Sequence, residues 1–390
     1  MSRCIPETIG ILPPGALGVS FGYHLTERFR QLDGSVFFVD RPGSSSGLGL
    51  RAQGYLKVAE ASEIRQVPIS CLFQPDLLAC ATEGKLPEVL LVCPNPDQLL
   101  PVLSLCVSLV EQSYQREPLS PRDLPLPLLV LSSNGIYFQR IRQVFIEKLE
   151  ESTLLGRLPD LWPDLMPSLV GRLMRGVTVQ TGIREGDGGS AVYRPGPLGS
   201  TRIAGGSPEH RHRAHAILSR RVQGIEIADN ASPTRVEFDK ALINLSANFL
   251  GQLAAIDDQG NFSLLTIGEI LERLGEPAIV ELTRWVVAVG KAVRAYEPQE
   301  QPEEIAAPVI QSLNQNAAHL PSSLQWLASR LTRREPIDTI TPTELWLIDP
   351  LLHYARSAGL DSAVAYFDNL KTSLRRRLEH ATLRVSRPAS

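Results

Sequence analysis

Residues 9–18 read IGILPPGALG. Ile9–Leu12 is a run of strand character, and Gly15-Ala16-Leu17-Gly18 opens a stretch with helical spacing (Leu17, Phe21, Leu25, Phe29) that predicts a helix over 15–32. A strand that turns sharply into a helix is where a dinucleotide-binding fold holds a pyrophosphate, with glycines spaced G-x-G-x-x-G. Here the second and third glycines are present as Gly15 and Gly18, but the first is Pro13, and Pro14 follows it. Proline cannot take positive φ, and neither proline offers an N–H to a phosphate. Taken alone, the turn reads as well as a ligand-free bend as it does as a nucleotide site.

The neighbouring strands extend the pattern. SVFFVD ends at Asp40-Arg41, and Asp40 lies 22 residues beyond Gly18. A carboxylate at that place accepts a ribose 2′-hydroxyl, whereas an arginine there grips a 2′-phosphate. With both present, the expectation is NADPH held through Arg41, with Asp40 turned away; the plainer alternative for Arg41 is a solvated loop cation. Pro42-Gly43-Ser44-Ser45-Ser46 adds hydroxyls suited to a phosphate. VLLVCP (89–94) and PLLVLSSNG (127–135) are further short apolar strands. Such strands alternating with helices predict a parallel sheet covered on both faces. GVTVQTGIREGDGGSAVYRPG (176–196) alternates around a Gly-rich turn and continues into STRIAGG, so the sheet is expected to end in antiparallel strands.

Beyond about residue 206 the strand pattern gives way to helical periodicity over 211–224, 235–256, 263–297, 303–318, 322–332 and 343–386. Polar, Pro-containing breaks fall at 297–304 and 333–344. A chain of 390 residues is too long for one ordinary core. Two domains are therefore expected, an α/β Rossmann-type domain over 1–206 and an all-α domain over 207–390. Apolar residues make up 43% and charged residues 21%, with a net charge of −3, which gives no sign of a nucleic-acid or membrane partner. No apolar run has spanning length and no signal-peptide pattern opens the chain, so a cytoplasmic location is expected. Cys4, Cys71, Cys80, Cys93 and Cys106 lack metal or redox spacing and read as reduced thiols. His210, His212 and His215 are interleaved with arginines that repel a cation, so no metal is expected.

DKALINLSAN (239–248) is the most informative stretch of the second half. Lys240, Asn244 and Asn248 are four apart and share a helix face, among apolar neighbours. A lysine in a buried helix is costly without a partner or a task. One task is to donate a proton to a carbonyl that is receiving a hydride. The bland alternative is a helix edge with one snorkelling lysine and two hydrogen-bonding asparagines.

Here the chain resembles the ketopantoate reductase (2-dehydropantoate 2-reductase) family, with similarities in the family's order over nearly the whole length. ILPPGALG looks like its opening glycine motif apart from the prolines. Arg41 matches its NADPH-selecting arginine, and LSSNG looks like its strand-end N-G, which puts Asn134 at the nicotinamide side. Residues 176–205 are similar to its antiparallel edge. VEFDKALINLSAN matches its K-x-x-x-N-x-x-x-N helix. The resemblance implies that Lys240 is catalytic and that Asn244 and Asn248 hold substrate. It further implies cofactor contacts at Gly15, Ala16, Gly18, Arg41 and Asn134.

The family's closing serine pair and T-E helix start look like Ser322-Ser323 and Thr343-Glu344. Glu335 stands at the family's spacing from Ser323, but Glu344 runs without a gap into a similar last helix and is preferred. Thr341-Pro342-Thr343-Glu344 also reads as a capping box. CPNPDQ (93–98) departs from the family, which often carries a lysine there, and the chain is longer over 297–343.

The expected function is NADPH-dependent reduction of a small 2-oxo acid, with ketopantoate as the leading case and the substrate in the crevice between the domains. Asn244 would orient Lys240, with Asn248, Ser323 and Glu344 on the substrate. The alternatives are a reductase of another 2-oxo acid and a non-catalytic relative that keeps the fold. The expected partner is a small molecule, and the sequence leaves a homodimer open.

Overall fold

The computed structural model describes residues 7–41, 44–60, 63–70, 72–116, 125–186 and 190–386. The chain divides into two units, Met1–Asn134 with Phe138–Pro233, and Gly135–Tyr137 with Thr234–Ser390.

In the first unit the short apolar runs become β1 (Ile9–Leu12), β2 (Val36–Val39), β6 (Val89–Val92) and β7 (Leu128–Leu131), and every residue in them is buried. Strands this uniformly apolar must be covered on both faces. Between β2 and β6 come β3 (Tyr55–Glu60), β4 (Glu63–Pro68) and β5 (Phe73–Gln74); after β7 come β8 (Leu173–Thr178), β9 (Gly182–Glu185), β10 (Val192–Pro195), β11 (Thr201–Gly205) and β12 (Ile225–Ile227). The main sheet has the order β12-β11-β8-β7-β6-β1-β2-β5. It is parallel from β5 to β8, with Ile9 beside both Val36 and Val89. The expected antiparallel edge is present where β11 reverses against β8.

β2 lies on one side of β1 and β6 on the other, so the chain reverses its direction of winding at β1. In open α/β sheets that switch point opens the crevice where ligands bind. The helices of this unit are α1 (Ala16–Leu25), α2 (Ser45–Gln53), α3 (Leu77–Thr82), α4 (Leu99–Arg116), α5 (Phe138–Glu151), α6 (Thr153–Arg157), α7 (Trp162–Val170) and α8 (Pro208–Ser219).

Four sequence expectations change in the first unit and at its boundary. The first helix stops at Leu25 rather than running to 32, and Glu27, Arg28 and Phe29 take positive φ. Thr26 ends it locally, its hydroxyl donating to the Gly22 carbonyl and accepting the Phe29 N–H. β9 and β10 do not extend the main sheet; they join β3 and β4 in a second sheet of order β4-β3-β10-β9. The strands continue past 206, because β12 pairs in parallel with β11. For the same reason the units divide at Pro233–Thr234, with α8 and β12 in the first, and not after residue 206.

The second unit is helical: α9 (Pro233–Asn244), a π-turn (Leu245–Phe249), α10 (Leu250–Ala255), α11 (Ile267–Leu274), α12 (Glu276–Ala292), α13 (Pro302–Gln315), α14 (Ser322–Thr332), a second π-turn (Glu344–Ile348), α15 (Asp349–Ser357) and α16 (Asp361–Ser386). The long helix expected over 263–297 is broken at Gly275, and the one over 343–386 at Gly359; both glycines have positive φ. Phe238, Leu242, Phe249, Val286, Leu351 and Phe367 form the centre of one core. Burying each such side chain is worth about 1.5–3 kcal/mol.

No helix among the described residues is long and apolar enough to cross a membrane. Cys80, Cys93 and Cys106 are buried free thiols, and Cys4 and Cys71 lie outside the described residues. No cluster of metal-ligating side chains occurs among the described residues. The three histidines of α8 face the backbone carbonyls of Gly171, Pro208 and Ile225.

Candidate functional site

The turn between β1 and α1 closes without the missing glycine. The Gly15 N–H donates to the Pro13 carbonyl at 2.8 Å. Gly18 is required by close approach: a Cβ there would strike the Pro13 carbonyl and meet Ile11 Cγ2 at 3.2 Å. Gly15 differs, since a Cβ there would meet nothing within 4 Å. α1 starts with no side-chain cap and no acidic residue in its first turn. The first amides of a helix have no partner within it.

At the end of β2 the two candidate selectors part. Asp40 is 0% exposed, and its carboxylate accepts the Arg41 N–H at 2.8 Å and lies 3.4 Å from Arg51 Nη2. Burial raises its pKa, against the lowering effect of these donors. Arg41 is partly exposed, and its guanidinium has no hydrogen-bond or ion-pair partner among the described residues. Pro42 and Gly43 lie outside the described residues.

Asn134 is exposed at the end of β7. Arg175 on β8, 2% exposed, fixes its approach by donating to the Leu131 carbonyl at 2.6 Å and to the Ser133 carbonyl at 2.7 Å. The Ser133 hydroxyl donates to the Pro94 carbonyl. Arg175 was not among the residues expected at the site. Its signal was an arginine in the middle of LMRGVT, a strand in which every residue is buried.

In the second unit, Lys240 and Asn244 lie on α9, and Asn248 falls in the π-turn that follows. Such turns interrupt α-helices frequently at functional sites. Neither the Lys240 ammonium nor the Asn244 carboxamide has a partner among the described residues. Burial pushes the Lys240 ammonium down to about 8. The structure brings Asn248 and the serine pair together. Asn248 Oδ1 accepts the Ser323 N–H at 3.2 Å and the Ser322 hydroxyl at 3.4 Å, and Ser323 Oγ donates to the Asn248 carbonyl at 3.3 Å. Asn248 thus caps α14, whose own first residues provide no side-chain cap. Its Nδ2 remains without a partner among the described residues.

The two glutamates are placed differently. Glu344 is 0% exposed; its N–H donates to Thr341 Oγ1 at 3.2 Å, the half of the expected capping box that forms. Its carboxylate accepts Arg375 Nε at 3.0 and 3.2 Å and also Arg375 Nη2, and Lys371 Nζ lies at 3.3 Å. Hydrogen bonding to Glu344 raises the Arg375 pKa. No hydrogen bond joins Glu344 to Lys240, Asn248 or Ser323 among the described residues. Glu335 forms a half-exposed pair with Arg330 at 3.0 Å.

Among solved structures, the chain is similar to D-mandelate dehydrogenase in complex with NADH (17% identity, 95% of this chain and 99% of that one, TM-score 0.60). It is similar to a ketopantoate reductase from Ralstonia eutropha JMP134 (16% identity, 95% and 98%, TM-score 0.55). The chain has the ketopantoate reductase fold. A dimeric ketopantoate reductase from Staphylococcus aureus is matched over 96% of this chain and 99% of that one, at 14% identity and TM-score 0.53. No family model matches, and neither does any curated protein.

The residues at the turn between β1 and α1 fit a dinucleotide. An uncapped helix N-terminus without acidic residues suits a pyrophosphate. The open space at Gly15 admits it. The Arg41 guanidinium has no partner among the described residues, while the Asp40 carboxylate is buried. The prolines therefore reshape the turn and leave its donor end open.

Proposed function

We propose that the chain reduces a small 2-oxo acid with NADPH, ketopantoate to pantoate being the leading reaction. The observation that carries this reading is the Lys240 ammonium, partly buried, without a partner among the described residues, and tuned by burial to about 8. A cationic side chain kept unpaired in a desolvated place costs stability, so its retention points to chemistry. Bound NADPH would supply the hydride for the ketone carbon.

Lys240 donates to the ketone oxygen, and as negative charge develops there it gives that oxygen its proton. The neutral amine then regains a proton from solvent. Asn244, one turn on, orients the ammonium. Asn248 Nδ2 donates to the substrate carboxylate. Ser323 Oγ, whose hydrogen is spent on the Asn248 carbonyl, accepts the substrate hydroxyl. Glu344 already has both oxygens on Arg375, so we assign it to holding the second unit's fold and not to touching substrate.

Titration of the purified chain with NADPH and NADH tests the cofactor. Arg41→Ala is expected to weaken NADPH binding roughly 10- to 100-fold, the worth of a charge-assisted hydrogen bond, and to leave NADH unchanged. An equal loss for both nucleotides would show that Arg41 does not meet a 2′-phosphate. If the wild-type chain binds neither, the non-catalytic alternative replaces the reductase.

A pH profile tests the acid. Because the folded pKa of Lys240 is lowered to about 8, the protonated donor is lost as pH rises through about 8. kcat for reduction is therefore expected to be flat below that point and to fall above it. A profile level to pH 10 would remove Lys240 from the proton transfer. The likeness to D-mandelate dehydrogenase supports a second reading, an aryl 2-oxo acid as substrate. Comparing kcat/KM for ketopantoate and phenylglyoxylate at fixed NADPH separates the two.

A further inference from the structure

The peptide that follows Asn134 changes company. Asn134 packs with the first unit, Gly135–Tyr137 with the second, and Phe138 with the first again. Ile136 is 3% exposed and lies in the second unit's core. Its N–H donates to the Trp346 carbonyl at 3.0 Å. The Tyr137 N–H donates to Glu237 Oε1 at 3.3 Å. Gly135 has φ +132, and a Cβ there would meet the Trp346 carbonyl at 3.2 Å and Trp346 Cβ at 3.3 Å. Only glycine passes this place without strain.

The sequence explains why Trp346 offers its carbonyl. It lies in the π-turn Glu344–Ile348. In an α-helix that carbonyl would accept from residue 350. Residue 350 is Pro350, which has no N–H. The acceptor that the proline leaves without an i+4 donor is the one Ile136 uses. On the other side of Asn134, the Ser133 carbonyl is held by Arg175. Asn134 and Gly135 thus stand between two held peptides, 133–134 and 135–136.

We propose that Gly135–Tyr137 is a strap, fastened to the Trp346 carbonyl, that positions Asn134 for the reduction, which makes Ile136 and Pro350 positioning residues. This rests on the reductase reading for its effect on turnover, but the fastening itself does not.

The test uses the full chain and two variants of different kind. Ile136→Ala removes the apolar anchor, with Ile136→Val as the conservative control. Pro350→Ala restores a helical N–H that competes for the Trp346 carbonyl and, as a better helix former, does not threaten folding. Hydrogen exchange is read at the amides of Gly135–Tyr137, with kcat, KM and NADPH affinity measured in parallel. Both Ile136→Ala and Pro350→Ala are expected to speed exchange in the strap at least tenfold and elsewhere not at all. Both should lower kcat at least tenfold while KM and NADPH affinity stay within twofold, and Ile136→Val should restore both readouts.

Unchanged strap exchange in Pro350→Ala overturns the fastening. Faster exchange with unchanged kcat overturns the positioning. Faster exchange throughout the chain in Ile136→Ala would assign Ile136 to the core alone and also overturn it. Should the wild-type chain reduce no 2-oxo acid, the reductase reading fails and with it the positioning of Asn134, and strap exchange still decides the fastening.

Discussion

Lys240→Ala is expected to lower kcat for 2-oxo acid reduction by about 10²- to 10⁴-fold, the usual worth of a positioned general acid. NADPH affinity should stay within about twofold, because the residues that fit the cofactor belong to the first unit. Stability should move the other way from activity. Burial lowers the folded pKa of Lys240 to about 8, below the ordinary lysine value of about 10.4. A lysine so shifted destabilises the fold while it is charged, and the penalty is relieved only as pH rises from about 8 toward the unfolded value. At neutral pH the penalty is present in full. Lys240→Ala should then unfold at or above the wild-type Tm at pH 7, with that advantage shrinking above pH 8. Loss of activity with gain of stability is the mark of a residue kept for function. A variant that lost activity and several degrees of Tm together would return Lys240 to the snorkelling helix edge of the plainer reading. The measurement is a pair of assays on one preparation, steady-state turnover and calorimetry.

The shared helix of Lys240 and Asn244 was legible because the two stand at a spacing of four among apolar neighbours. The same holds for β1, β2, β6 and β7, where the signal is a local apolar run. What stayed hidden depends on residues far apart. β10 pairs with β3 through Val192 and Lys57, and neither strand is a continuous apolar run, because a four-stranded sheet at the periphery buries only part of each strand. β12 is three residues long and carries no periodicity to read. The Pro13-Pro14 turn looked damaged because the sequence shows which N–H groups proline deletes and not that the Pro13 carbonyl can close the bend on Gly15. In LRRRLEH (374–380) a run of arginines by itself reads as a solvated face. Arg375 instead meets Glu344, Arg376 meets Asp258, and Arg377 donates to the carbonyls of Leu253 and Ile256. A charge run becomes readable as a set of internal partners only when the acceptors, more than 30 or 100 positions earlier, are known to be near.

That pairing gives the largest expected effect on stability. Arg375→Met should destabilise the second unit by about 3–5 kcal/mol, the cost of leaving a buried charge without its main partner. Glu344 is 0% exposed and cannot turn to water, and its remaining cation, Lys371 at 3.3 Å, is shared with Asp349 at 2.5 Å. Glu344→Gln should cost less, about 1–3 kcal/mol. The amide still accepts a hydrogen bond, and Arg375, 36% exposed, can solvate its freed charge. The order of the two variants is therefore fixed by which partner is trapped. For a unit of this size about 2–4 °C of Tm accompanies each kcal/mol, so Arg375→Met should fall by about 6–20 °C. The double variant removes the trapped carboxylate as well. It should recover part of the loss, with a coupling of about 1–3 kcal/mol between the sites. Additive losses, or a larger loss from Glu344→Gln than from Arg375→Met, would mean that Glu344 reaches solvent or substrate. It would then return to the list of groups that touch the reacting molecule.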